Sequence, residues 1–196
     1  MKIGEIIATE TTSLVAESYT LNHPPALGSL IWASDDSGRT IYAIVCHVTT
    51  GGIDPSRRPI RRSTENTSDA SVYREHPELV HTLRTEFRAL LVGWSDGDRI
   101  TQSLPSQPPL LHYTVHTCSK EQVRAFTEES YYLRLLLNGS DPVPPEQLIV
   151  ANLRETYLCR DRDEAWLQAA AKEIARLLKD DYERLMTILY AIDPRS

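Results

Sequence analysis

"GSLIWASDDSGRTIYAIVCHVTT", residues 28–50, decides the reading of the fold. Two runs rich in Ile, Val, Thr, Tyr and Trp flank Asp35, Asp36, Ser37 and Gly38. Asp tolerates turn positions and Gly supplies positive φ, so the pair reads as two strands joined by a tight turn. Toward the N-terminus, "KIGEIIATETTSLVAESYTL" (2–21) places apolar residues at strand spacing on either side of "ETTS", a second turn. "HPPALG" (23–28) is a proline-rich connection that cannot pair in a central strand. The first 50 residues are therefore a meander of four strands.

Downstream, composition shifts at Gly51 to Gly, Pro, Ser, Thr, Asn and Arg without periodicity until about Asp69, the pattern of a long excursion. "VYREHPELVHTLRTEF" (72–87) contains a short helix, "RTEFRALLVGW" (84–94) returns as a fifth strand, and "SDGDR" turns the chain. "LPSQPPLLHYTVHTC" (104–118) brings a sixth strand after a proline-rich crossing. The expected fold class is α+β: a six-stranded antiparallel β-barrel over residues 1–118 with a long insertion at about 51–83, then a helical region over 119–196. In that region Ser119 and Gln122 have capping-box spacing, and Asn138 with Gly139 closes the first helix. "EQLIVANLRETYL" (146–158) is a second helix. From about Asp163 to Ile192, Trp166, Ala170, Ile174, Leu177, Leu178, Tyr182, Leu185, Leu189 and Ile192 form one apolar face at helical steps. That face packs on the chain itself or on another subunit.

At 196 residues the chain is long enough to bury a sizeable core, and its formal net charge is -6. Its 3 cysteines, Cys46, Cys118 and Cys159, fit neither a disulfide framework nor zinc-ligand spacing, so a reducing, cytoplasmic location is expected. Glu5 and Glu10 interrupt the start where a leader would need an apolar stretch, and no run approaches a membrane span. No membrane association is expected. The acidity is spread along the chain, which argues against a nucleic-acid field from composition alone.

The order "IGEIIATETTSLVAESY", "ALGSLIWA", "GRTIYAIVCHV", a long insertion, "TEFRALLVGW" with "DGDR", then "LPSQPPLLHYTVHTCSKEQV" resembles the HAS barrel. This is the six-stranded β-barrel shared by HerA-type DNA translocases and ATP-synthase subunits. The resemblance covers roughly residues 2–124. It rests on Gly4 and Glu5, Leu27 and Gly28, Gly93 with Asp96 and Gly97, and Pro108 with Pro109. It implies a barrel, and by analogy self-association into an oligomer or assembly with an ATPase-containing or DNA-processing partner. In those families a RecA-like ATPase follows, whose phosphate loop ends in Gly-Lys-Ser/Thr. Here the lysines are Lys2, Lys120, Lys172 and Lys179, and none follows a glycine. Residues 125–196 are too few for such a domain, so no nucleotide cofactor is expected.

The one charge concentration is "SRRPIRR", which sets Arg57, Arg58, Arg61 and Arg62 within the insertion. Guanidinium forks grip phosphates and carboxylates bidentately. The plainer reading is a solvated loop whose arginines pair with Glu65, Asp69 or Glu75. The functional readings are a protein-partner surface and a nucleic-acid phosphate contact. His112 and His116 in "HYTVH" share a strand face without a third ligand, too little for zinc, and His76 and His81 fare no better. "GGID" lacks the later glycine of a nucleotide fingerprint, and "CHV" and "HTC" put cysteine and histidine on opposite strand faces. Asp161, Asp163 and Glu164 suit a helix N-terminus. No catalytic residue, metal or cofactor is expected. The expected function is a non-enzymatic interaction or scaffold module, the alternative an accessory DNA-processing protein that binds phosphates through the arginines.

Overall fold

The computed structural model describes residues 1–54, 56, 58–97, 99–139 and 142–193. Among these residues seven antiparallel strands form one sheet: β1 (Lys2–Thr9), β2 (Ser13–Ser18), β3 (Leu30–Ser34), β4 (Thr40–Gly52), β5 (Leu83–Asp96), β6 (Arg99–Thr101) and β7 (Thr114–Thr117). They lie in the order β2-β1-β7-β3-β4-β5-β6, and β2 also pairs with β5, so the strands close into a ring with β6 attached outside it. The sheet thus holds one strand more than the sequence predicts. β6 is a three-residue return beside the end of β5, too short to leave a periodic signature. The predicted sixth strand narrows to Thr114–Thr117, because Pro105, Pro108 and Pro109 have no N–H to give a ladder.

The turn at 35–38 is built as its composition requires. Gly38 takes φ 81, and Asp35 Oδ1 accepts from Ser37 N, Ser37 Oγ and Arg39 N while Oδ2 accepts from Arg39 Nε at 2.7 Å. Burial pushes the Asp35 carboxyl up, but those bonds to Ser37 and Arg39 outweigh it and hold it below the usual range.

Strands β3, β4 and β5 are buried on both faces. Ile31, Ala33, Ile41, Ala43, Val45, Phe87, Ala89 and Leu91 point into the ring, where they meet Ile6, Leu14, Ala16 and Val115. Their neighbours Leu30, Tyr42, Ile44, Cys46, Leu90 and Val92 point outward into a second core formed with the helices. Side chains alternate across a strand, so one wall serves two cores and its strands read as continuous apolar runs.

The helices covering that wall are α2 (Lys120–Phe126), α3 (Leu133–Leu137), α4 (Pro145–Cys159), α5 (Glu164–Leu177) and α6 (Tyr182–Ile192). The insertion adds α1 (Asp69–Glu75) and a 3-10 turn over Pro77–His81. Ser119 and Gln122 form the expected capping box. Two expected helices are each broken in two. The first stops after Phe126, where the Gln102 amide donates to the carbonyls of Phe126 and Glu129 and its oxygen accepts from Tyr132 N. The second stops at Leu178, and Asp181 caps a new start by accepting from Arg184 N. Trp166, Ala170, Ile174 and Leu178 are buried as the apolar face predicts, but Tyr182, beyond the break, is exposed.

α4 touches α2, α3, α5 and α6 and crosses directly over Gly28. Gly28 has φ +84, and a Cβ there would strike the α4 backbone at Ala151 and Asn152. Asn152 Nδ2 donates to Gly28 O at 2.9 Å, and Tyr132 Oη donates to Asn152 Oδ1 at 3.0 Å. Gly93 admits the Phe126 ring, which would lie 2.7 Å from an added Cβ. Asn152 and Tyr132 are fully buried, so each lost partner leaves a desolvated polar group costing about 1–3 kcal/mol. Asn152→Ala is therefore expected to lower unfolding free energy by at least that amount in urea titration, with sheet and helix signals shifting together.

Candidate functional site

The β4–β5 hairpin runs past the ring and ends at the pair Gly52↔Leu83, beyond which Ile53 N donates to Thr82 O at 3.0 Å. The insertion leaves and rejoins the fold across this gate. Its second half is tied down: Leu79 is buried, and Asn22 donates through its backbone to Thr85 Oγ1 and through Nδ2 to Tyr73 Oη. Its first half carries the arginines over the hairpin end.

Arg58, Arg61 and Arg62 are all exposed in this segment, and Arg57 lies outside the described residues. Arg58 and Arg62 come together on one cleft of ≈ 540 Å³, shared with Ile53, Pro59, Ile60, Leu79, His81 and Leu83. Arg61 is not part of its wall. The expected pairing with Glu65, Asp69 or Glu75 does not occur: none of these three arginines has a carboxylate within ion-pair distance among the described residues. Arg39, Arg84, Arg124, Arg160, Arg176 and Arg184 each have one. The Glu78 carboxyl is held below its usual value first by its own backbone N–H, then by His76 and by the field of Arg62. Asp54 is likewise lowered, by the hydroxyl and backbone N–H of Ser56.

The cleft's apolar members were hidden in the sequence. Ile53, Leu79 and Leu83 are spread over both ends of the insertion, and only the hairpin closure unites them with Ile60. Ile60, set between two arginine pairs, is the one local signal: it is 71% exposed, and Ile53 is 49% exposed.

The histidine expectations change. His112 lies before β7 with φ 65 and bonds Glu5 Oε1 at 2.7 Å, while His116 stacks on Trp32 with ring centroids 4.1 Å apart, so the two share no face. Burial, helped by the N-terminus and Lys2, pushes the His116 imidazole below its usual value. His76 pairs with Glu78 at 3.3 Å. Among the described residues no group of three or more His, Cys, Asp or Glu could hold a metal ion. Asp163 accepts from Trp166 N as a helix cap, but Asp161 is not in the helix: it takes φ 59 and pairs with Lys120 and Arg124. No helix among the described residues is long and apolar enough to cross a membrane.

Cys118 and Cys159, far apart in sequence, line one small cleft with Ser29, Leu30 and Thr117, and both are free thiols. Burial, with Cys159 adding to it, pushes the Cys118 thiol up to about 12, and burial raises Cys159 too. The chain matches no protein-family model and no curated protein.

The thiols give a direct check on this geometry. Because the thiolate is the nucleophile, alkylation of native protein with iodoacetamide is expected to be fastest at Cys159, slow at Cys118 and slowest at fully buried Cys46. The Cys118 rate should still climb about tenfold per pH unit above pH 9, where an unperturbed thiol levels off.

Proposed function

We propose that this chain is a non-enzymatic interaction module that meets an anionic partner through the loop bearing Arg58, Arg61 and Arg62. One observation carries the reading: three exposed arginines within five positions have no carboxylate within ion-pair distance among the described residues, on a protein of net charge -6. Unpaired arginines elsewhere, such as Arg74 and Arg162, do not cluster. Arginine is the residue suited to planar, bidentate recognition of carboxylate or phosphate at a partner's surface.

In this proposal the ring β2-β1-β7-β3-β4-β5 is a HAS-type barrel of six strands, with β6 a side return. The ring order supports it, as do the roles of two residues on which the resemblance rests: Gly28 and Gly93 seat α4 and Phe126 on the sheet. The helices follow the barrel in the chain, where the resembled proteins carry their ATPase, so ATP binding and hydrolysis are assigned to a partner. Self-association would use Tyr182, the exposed member of the last helical face, with the exposed Tyr190 of the same helix, since Trp166, Ala170 and Ile174 are already covered.

The second reading keeps the same arginines and gives them a DNA backbone. Titration of an acidic peptide and of a short DNA duplex, each at two salt concentrations, separates the two. Wild type is expected to bind the acidic peptide, and Arg58→Ala/Arg61→Ala/Arg62→Ala to lose that binding while keeping its unfolding midpoint. Stronger duplex binding with a steep salt slope that the triple variant flattens would favour DNA, because each phosphate contact adds to the slope. Wild-type protein that binds neither probe contradicts the proposal, as does micromolar ATP affinity or turnover in purified protein.

A further inference from the structure

We infer that the cleft beneath the arginine loop recognises an acidic peptide segment carrying a bulky aliphatic or aromatic anchor between carboxylates; the inference rests on the anionic-partner reading above. Three features of the cleft select this occupant. Its lining is mixed: Ile53, Ile60, Leu79, Leu83 and Pro59 are apolar, Leu79 being buried and the two isoleucines open to solvent, while His81, Thr82 and Asp54, whose carboxylate accepts from Ser56, share the wall with the two arginines. Exposed aliphatic side chains flanked by arginine are the composition of an interface anchor site, where a buried side chain supplies affinity and charges set orientation.

Two cations line the cleft. Arg58 and Arg62 flank Pro59 and Ile60 in sequence and share the cleft, so carboxylates on both sides of a central anchor meet a guanidinium each. Pro59 fixes its own φ and restricts Arg58 to extended conformations, which keeps Ile60 presented outward.

Size and chemistry favour this occupant over a single nucleic-acid strand. At ≈ 540 Å³ the cleft lies in the range of sites that take several groups at once. A nucleic-acid strand offers phosphates to the arginines, but its bases call for aromatic platforms, and the lining residues include none of Phe, Tyr or Trp.

The test is a panel of labelled peptides with two aspartates on each side of one central residue, Leu, Phe, Ala or Ser, titrated by fluorescence anisotropy. Leu and Phe peptides are expected to bind about tenfold or more tightly than the Ser peptide, the margin expected for burying one large apolar side chain. Ile60→Ser should erase that margin and leave the Ser peptide's affinity unchanged; Ile60 is exposed, so the variant keeps its fold. Arg58→Ala/Arg62→Ala should weaken every peptide in parallel. Equal binding of Leu and Ser peptides overturns this inference, while arginine-dependent binding of both still upholds the anionic-partner reading. Displacement of the Leu peptide by a short DNA duplex of higher, arginine-dependent affinity overturns it in favour of nucleic acid. Wild type that binds no peptide and no duplex overturns both.

Discussion

The wall formed by β3, β4 and β5 is the constraint on which the rest depends, because it is buried twice. Ile41, Ala43 and Val45 fill the ring while Tyr42, Ile44 and Cys46 fill the helical core, and Phe87, Ala89 and Leu91 alternate in the same way with Leu90 and Val92. A slip of one residue would exchange the two sets and mismatch both cores at once. The pairing Ile44↔Leu90 and Tyr42↔Gly93 is therefore fixed from two sides. Gly93 sits where the outer face must admit Phe126, and Gly28 where it must admit α4.

This rigid hairpin also explains where interaction chemistry can be placed. Past the ring, β4 and β5 leave both cores, and their last pairs, Thr50↔Thr85 to Gly52↔Leu83, carry the insertion. The Thr50 and Thr85 hydroxyls bond each other at 2.8 Å, and Asn22 donates to Thr85, so the loop's root is held while its tip is free to vary. Loops on rigid scaffolds carry function for this reason. Among the described residues Arg58, Arg61 and Arg62 form no ion pair: of the nearest charges, Glu86 pairs with Arg84 and Glu78 with His76, and Arg62 reaches Glu78 only through its field.

Much of the fold was legible in the sequence, and the gaps have physical causes. The turn at 35–38, the strands of the two-sided wall and the cap at Ser119 follow from local chemistry and were readable. The helix breaks were not. Phe126 to Tyr132 is interrupted by Gln102, a residue distant in sequence whose side chain satisfies the groups freed there, and a periodic apolar pattern continues across such a break unchanged. His112 escaped the strand because Glu5 and the turn before β7 hold it. At the site the cations were legible and the cleft was not. "SRRPIRR" is a local concentration, whereas Ile53, Leu79, His81 and Leu83 meet only after the hairpin closes.

Amide hydrogen exchange on the free protein tests the two-sided wall most directly. If β3, β4 and β5 unite both cores, amides of Ile31, Ile44, Val45, Ala89, Leu91 and Ile149 exchange only through one shared global opening, and those of 58–68 exchange far faster. Exchange of α4 amides through a separate, lower-energy opening while the wall stays protected would show that the helices are an attachment, and would contradict the account.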